Sequence, residues 1–364
     1  MDKIVEGKAR IYSYKSEKIS SEMPVFYNPV MTENRTISII IARSFFSRPI
    51  RALFPLAASG VRPIRFILEG VDLKEVYIND LNPRAVGLIK KNIKLNKIDD
   101  SNITITREDA RILMLKERNF DYVDIDPFGA PNPFIESALN AVKHKGLLAV
   151  TATDLSSLAG SYPSTCKWKY WAIPIRNHLK HEAGLRILIR KIQLIAAQHE
   201  KALIPILCYY SRHYYRCFFQ VLKSKNKALR IINNHRYLKY NPDTSYELID
   251  EQCGNTYGPL WAGLLGDRET LRRAVDLSGE YEDKNISRLL SLMLEDVSLG
   301  IPFFYDTSAL LSAGVIEKQP RIDSVINMLR ENKFLASRTI FSSTGFKTNA
   351  RIRDIKRILS QLLV

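Results

Sequence analysis

Asp126-Pro127-Phe128-Gly129 follows the apolar run Tyr122-Val123-Asp124-Ile125. An acid, a rigid proline and an aromatic ring therefore stand where a buried strand should emerge. The exocyclic amine of a nucleobase is a poor nucleophile, because its lone pair is delocalised into the ring. A carboxylate that accepts its hydrogen bonds fixes its orientation and stabilises positive charge as a methyl group arrives. Asp126 can supply that carboxylate, Phe128 a ring for the base to stack on, Pro127 stiffness and Gly129 a sharp turn. Asp124 falls on the same strand face as Asp126, either as a weaker candidate or as the partner of a cation. Asp-Pro and Gly also suit an ordinary turn, so the chemistry needs a methyl-donor site elsewhere in the chain.

Three upstream elements supply one. Ala58-Ser59-Gly60-Val61-Arg62 joins an expected strand to a helix, where Ser-Gly allows close backbone approach and the helix start offers free amides. Asp80 lies 20 residues after Gly60, a distance at which an acid can accept the two ribose hydroxyls of a nucleoside. Asp109 follows the third strand and can reach an adenine amine, with Ala110 offering its backbone amide. Asp80 and Asp109 are each open to a second reading as helix caps. In an open α/β sheet, ligands bind at the carboxyl ends of the strands, and these three elements come in the right order.

The elements that position them follow from periodicity. Strands are expected at Ala52 to Leu56, Glu75 to Ile78, Ile103 to Thr106, Tyr122 to Ile125 and Gly146 to Thr153. Helices are expected from Arg62 to Leu68, from Asn82-Pro83 onward with the asparagine as cap, from Pro133 to Val142, and from Glu182 to His199. Leu203 to Tyr210 and Tyr214 to Val221 are separated only by Ser211-Arg212-His213, which predicts an antiparallel hairpin. The fold class is thus α/β: a mostly parallel Rossmann-like sheet closed by an antiparallel hairpin, the pattern of class I methyltransferases that use S-adenosylmethionine. A smaller α+β C-terminal domain completes it. We place the methyltransferase domain at 1–222, a polar, aperiodic linker at 223–255 and the C-terminal domain at 256–364.

The chain has 364 residues, of which 46% are hydrophobic, with 54 Lys and Arg against 38 Asp and Glu. That excess favours a polyanionic partner, nucleic acid before an anionic membrane surface. The longest apolar stretches, such as Ala202 to Tyr210, fall far short of the ~20 residues a membrane span needs. Met1 to Arg10 has no apolar core and is not read as a secretory signal. The four cysteines, Cys166, Cys208, Cys217 and Cys253, form no Cys-x-x-Cys pair. Neither a disulfide framework nor a metal site is expected, and a cytoplasmic location is the default.

The motifs resemble the tRNA guanine-N2 dimethyltransferase family in its archaeal form. The resemblance covers nearly the whole chain. It rests on Phe26-Tyr27-Asn28-Pro29 with Asn34-Arg35, on Ala58 to Arg62, on Asn79-Asp80-Leu81-Asn82-Pro83 and on Asp124 to Gly129. It continues through Thr151-Ala152-Thr153-Asp154, Gly258-Pro259-Leu260-Trp261, Ser337-Arg338-Thr339 and Lys347-Thr348-Asn349-Ala350. It implies transfer of one or two methyls from S-adenosylmethionine to N2 of guanosine 26 in tRNA. By that likeness Arg35 and Arg62 hold the methionine carboxylate, Asp80 the ribose, and Asp109 with Ala110 the adenine. Asp126 contacts the amine, and Phe128 with Phe26 sandwiches the guanine. Phe26 is equally open to core packing, and Arg35 to a phosphate contact or a salt bridge. Many archaeal members are similar in carrying zinc-binding cysteines between their domains. Here that stretch holds only Cys253, too few for a structural zinc.

From Lys318 to Arg357 ten basic residues face three acidic ones. A base inside folded tRNA must be flipped out and reached by backbone and shape contacts. Lys347, Arg351 and Arg353 are therefore the expected phosphate contacts, on a protein expected to be a monomer. Three other readings compete. A DNA amino-methyltransferase usually carries a second proline where Phe128 stands. A non-catalytic RNA-binding protein need not keep Asp80, Asp109 and Asp126. A nicotinamide dehydrogenase needs a glycine fingerprint and no closing hairpin.

Overall fold

The computed structural model describes residues 1–14 and 23–362. An N-terminal hairpin, β1 (Asp2–Glu6) and β2 (Ala9–Ser13), precedes α1 (Thr32–Phe45). The alternating region then runs β3 (Ile50–Phe54), α2 (Val61–Leu68), β4 (Leu73–Asn79), α3 (Pro83–Leu95), β5 (Ile103–Thr106), α4 (Ala110–Lys116), β6 (Phe120–Ile125), α5 (Asn132–Ala141) and β7 (Val142–Ala152). After α6 (Leu155–Leu158), α7 (Pro163–Tyr170) and α8 (Lys180–Gln198), the hairpin β8 (Lys201–Ser211) and β9 (Tyr214–Lys223) closes a seven-stranded sheet of order β5-β4-β3-β6-β7-β9-β8. Only β9 runs against its neighbours. This is the expected class I methyltransferase sheet. Asn82 caps α3 by accepting from the Arg84 amide at 2.9 Å, as its position before Pro83 predicts.

Period-two alternation sorts the strand residues onto two apolar layers. Val123 and Ile125, Leu148 and Val150, and Cys217 and Phe219 face α4, α5 and α8. Tyr122, Leu147 and Ala149, and Tyr214 and Phe218 face α1 and α2. Asp124, Thr151 and Arg216 fall on this second side by the same alternation, so three polar side chains meet beneath α1.

The expected linker, 223–255, is instead folded. It forms α9 (Lys225–Ile232), β10 (His235–Tyr240) and β11 (Tyr246–Ile249), and β10 also pairs with β12 (Thr256–Trp261) in a three-stranded sheet. Its elements are short and half-buried, so no apolar period shows. Leu238, Leu260 and Trp261 join the core under α8. The next two helices, α10 (Arg268–Ser278) and α11 (Lys284–Leu299), add Leu271, Leu290 and Met293 to the core under α1. Backbone bonds Cys208 N to Leu265 O and Asp267 N to Ile206 O, at 2.7 and 2.9 Å, cover the outer edge of β8, which shields an otherwise unpaired strand. A separate core forms only beyond about residue 304. It is built from β13 (Tyr305–Asp306), α12 (Thr307–Ser312), α13 (Ile322–Glu331), β14 (Ala336–Arg338), β15 (Gly345–Thr348) and α14 (Ile352–Leu362).

Lys347 is a second correction. Its side chain is fully buried, and its Nζ lies 2.7 Å from Asp296 Oδ1 and 3.2 Å from Glu182 Oε1. It cannot reach a phosphate. Alternation along β15 turns it inward, and charge counting along a sequence cannot see that. Glu182 also accepts from Arg186 at 2.8 Å and from the Phe303 amide at 2.8 Å. Burial pushes Glu182 up, but Lys347 and Arg186 outweigh it and hold the carboxyl below its usual range. Burial and the Glu182 charge hold Asp296 above its usual range. Lys347→Ala would leave two buried acids facing each other. It should cost about 3–5 kcal/mol of stability in urea unfolding.

Candidate active site

A cavity of about 680 Å³ opens at the carboxyl ends of the central strands. Its lining includes Phe26, Arg35, Arg62, Asp80, Asp126, Phe128 and His213. The size suits a nucleoside-sized ligand.

The turn between β3 and α2 forms one wall. Ala58 and Gly60 both take left-handed backbone, φ +47° and +77°. At Gly60 a Cβ would also press on Ile89 Cγ1 at 3.0 Å, so glycine is required there. Asp80 secures the turn from the end of β4. Its Oδ2 accepts from the Ala58 amide at 2.8 Å and its Oδ1 from the Asn82 amide at 2.9 Å. The cap of α3 is Asn82 itself; Asp80 instead braces the loop ahead of it and lines the cavity. Asn82 Nδ2 donates to Pro24 O at 2.8 Å, which tethers the segment carrying Phe26.

Phe26 and Phe128 meet across the mouth, with ring centroids 4.5 Å apart and planes at 78°. Phe128 is 55% exposed. Its loop is clamped to the end of β7: the Gly129 amide donates to Thr153 Oγ1 at 2.7 Å, and the Thr153 amide to Gly129 O at 3.0 Å. Gly129 has φ +76°, the conformation that its place in the tetrapeptide implies.

Asp126 is the outermost of a cluster of four charges, with Arg62, Asp124 and Arg216 behind it. Arg62 bonds Asp126 through Nη2, and through Nη1 reaches Asn34 Oδ1 and Ser38 Oγ, both at 2.9 Å. It also lies 3.7 Å from Asp124. Arg216, entirely buried, donates to Asp124 at 2.7 and 3.0 Å, to Thr151 Oγ1 at 2.8 Å and to Ser38 Oγ at 2.9 Å. Burial pushes Asp124 up, but Arg216 and then Arg62 outweigh it and hold the carboxyl below its usual range. Asp124 is thus the cation's partner, and it forms part of the cavity floor as well. Asp126 Oδ1 accepts no hydrogen bond among the described residues, so it is open to a ligand.

Two residues expected at the donor site stand differently. Arg35 lines the cavity, but its guanidinium is taken by Glu6 on β1, at 2.6 Å through Nε, and by Asn28 O at 3.0 Å. It forms the salt bridge that the sequence left open, while its Nη1 donates to no partner among the described residues and the side chain still lines the cavity. Burial pushes Glu6 up, but Arg35 and Arg65 outweigh it and hold it below its usual range. Asp109 caps α4, accepting from the Arg111 amide at 2.8 Å. The Arg111 guanidinium beside it holds its carboxyl down to about 2. Neither Asp109 nor Ala110 lines the cavity. His213, missed from sequence, enters from the turn of the closing hairpin. Burial, and then the charge of Arg212, keeps its imidazole below the usual value and so neutral at pH 7. The turn's position in the fold was the one available signal for it.

The residues fit S-adenosylmethionine. Asp80, Ser59 and Val61 at the start of α2 line the cavity, and Leu56, Ala57 and Phe134 form apolar walls, a mixed lining of the kind a nucleoside cofactor needs. Among the described residues no group of three metal-ligating side chains comes together, and no helix is long and apolar enough to cross a membrane.

Sheet order, reversed strand and strand-end acids define a class I methyltransferase that draws on S-adenosylmethionine. More narrowly, the chain belongs to the N2,N2-dimethylguanosine tRNA methyltransferase family, whose model matches residues 7–360. It is 36% identical to the tRNA (guanine(26)-N(2)/guanine(27)-N(2))-dimethyltransferase of Aquifex aeolicus, covering 100% of this chain and 96% of the relative. It is 37% identical to the tRNA (guanine(26)-N(2))-dimethyltransferase of Pyrococcus furiosus, covering 95% and 94%. The solved structure of Trm1 from Pyrococcus horikoshii with S-adenosyl-L-methionine superposes with a TM-score of 0.92 at 34% identity, covering 99% of this chain and 100% of that one.

Asp124→Asn would leave Arg216 and Arg62 under-neutralised in the interior. Urea unfolding should show a loss of about 3–5 kcal/mol. Pairing that change with Arg216→Met should recover much of the loss.

Proposed function

We propose that this enzyme methylates N2 of guanosine 26 in tRNA, twice in succession, in the cytoplasm. The observation that carries this is the Phe26–Phe128 pair beside the open oxygen of Asp126, at the mouth of a cavity that Asp80 lines. A flipped guanine enters as Phe128 swings off Phe26, and the two rings then hold its faces. Asp126 accepts a hydrogen bond from the amine and aims the nitrogen's lone pair into the cavity. S-adenosylmethionine would supply an electrophilic methyl carbon there, its carbon–sulfur bond breaking with the electron pair to sulfur to leave S-adenosylhomocysteine. As nitrogen bonds that carbon, Asp126 takes up the proton that the nitrogen sheds. Arg62 fixes the carboxylate throughout.

Lys347 is excluded as an RNA contact, so the phosphate grip falls to Arg351 and Arg353. Both are exposed around the start of α14. Replacing both by alanine should make the salt dependence of tRNA binding shallower, by roughly one for each phosphate that is no longer neutralised.

The first test is methyl incorporation from labelled S-adenosylmethionine into unmodified tRNA, beside the same tRNA with adenosine at position 26. Nucleoside analysis should show N2-methylated guanosine only in the first; incorporation into both would reject the position. Asp126→Asn should lower kcat by about 10²–10⁴-fold with cofactor binding retained in calorimetry. Phe128→Ala should act mainly on KM, losing ~1–3 kcal/mol of base stacking.

A further inference from the structure

Two of the three tryptophans lie on the surface. Trp168 is 64% exposed and Trp171 52%, while Trp261 is buried. A lone exposed aromatic needs no explanation. These two, with Tyr162 at 63%, come from a single short stretch, α7 and its two flanks.

The stretch carries an excess of positive charge, even though Lys169 is paired with Asp154 and Arg186 with Glu182. From Leu155 to His199 the chain holds seven Lys and Arg and one acid, Glu182. That acid is fully buried against Arg186 and Lys347. Lys167 and Arg176 are exposed and make no ion pair among the described residues.

Trp171 is also held outward by construction. Its φ is +54°, left-handed backbone that a bulky side chain rarely adopts. Arg190 donates to its carbonyl at 3.3 Å, and Lys191 Nζ lies 2.9 Å from its ring centroid. Two residues on, Ile173 exchanges both backbone hydrogen bonds with Gly258, each at 2.7 Å. The Gly258-Pro259-Leu260-Trp261 motif thus braces this face from β12.

The face adjoins the base-holding loop. Asn132, at the start of α5, donates to Lys169 O at 3.1 Å. Lys169 Nζ lies 3.0 Å from Asp154, next to the Thr153 that clamps Gly129. Exposed aromatic rings among cations are the platform on which single-stranded bases stack, and flipping a base leaves its neighbours unpaired.

We propose that Tyr162, Trp168 and Trp171, with Lys167 and Arg176, form a second RNA-contact surface, where an unpaired base flanking the target guanosine stacks. This rests on the tRNA reading given above. The test uses full-length protein and fluorescently labelled unmodified tRNA, with methyl transfer followed in parallel. Trp168→Ala should weaken binding about tenfold and raise KM alike, with Trp168→Tyr restoring most of it. Lys167→Ala and Arg176→Ala should each flatten the salt dependence by roughly one. Thermal unfolding should match the wild type for the Trp168, Lys167 and Arg176 variants, because those side chains are exposed. Wild-type affinity and KM in the Trp168→Ala/Trp171→Ala double variant would overturn the surface and leave the substrate assignment standing. A wild type that binds tRNA without methylating it would overturn the substrate reading, and the binding comparison would still decide the surface. A wild type that does not bind tRNA would overturn both.

Discussion

Two arginines and two aspartates share the interior beneath α1, and their charges balance. Arg216 lies wholly inside the sheet face and is tolerable there only because Asp124 accepts two of its hydrogen bonds. Arg62 leans on the same aspartate and extends its other arm to Asp126. Asp126, the acid proposed to take the proton, is therefore the outermost member of a buried chain of charges. Strand register depends on this arrangement too. A slip of one residue in β9 would turn Arg216 into the layer of Cys217 and Phe219 and would break the charge balance. Register, helix placement and the position of Asp126 are one constraint.

The C-terminal half hangs on a second buried cluster of the same kind. Glu182 on α8 gathers Arg186, Lys347 and the Phe303 amide, and Arg186 extends to Trp261 O and Gly263 O at 2.9 and 2.8 Å. One carboxylate thereby ties α8 to the segment after β12 and to β15. Residues 223–304 share the catalytic cores instead of spacing two domains apart. The orientation of the last 60 or so residues is thus set by packing and buried ion pairs.

Much of this is legible in the sequence, for reasons that separate the successes from the misses. The strands, the closing hairpin and the Asn82 cap follow from alternation and local turn chemistry, which operate within a few residues. Asp80, Phe128 and Asp126 converge because strand ends in this fold converge, and Phe26 joins them on the segment that Asn82 tethers. Long-range partnership is not legible. Nothing within ten residues of Arg35 announces Glu6, which arrives from β1. Nothing near Lys347 announces Glu182, 165 residues away. Each reads as an available cation, because sequence shows a charge but not what neutralises it. Asp109 shows the reverse case. Its capping role is visible locally, and the structure makes that cap.

The proposed chemistry has its own stopping rule. Guanine N2 carries two hydrogens, and each transfer replaces one with a methyl. The unmodified and monomethylated amines can both donate to Asp126; the dimethylated amine cannot. With that last donor gone, the carboxylate side of the site holds the product by van der Waals packing alone, while Asp126 keeps its bond to Arg62. Repetition and release then need no separate device, since both follow from the proton inventory of the substrate meeting a fixed acceptor. What the protein must add is selection of the base, which falls to the aromatic cleft and to the surfaces that position the RNA around it.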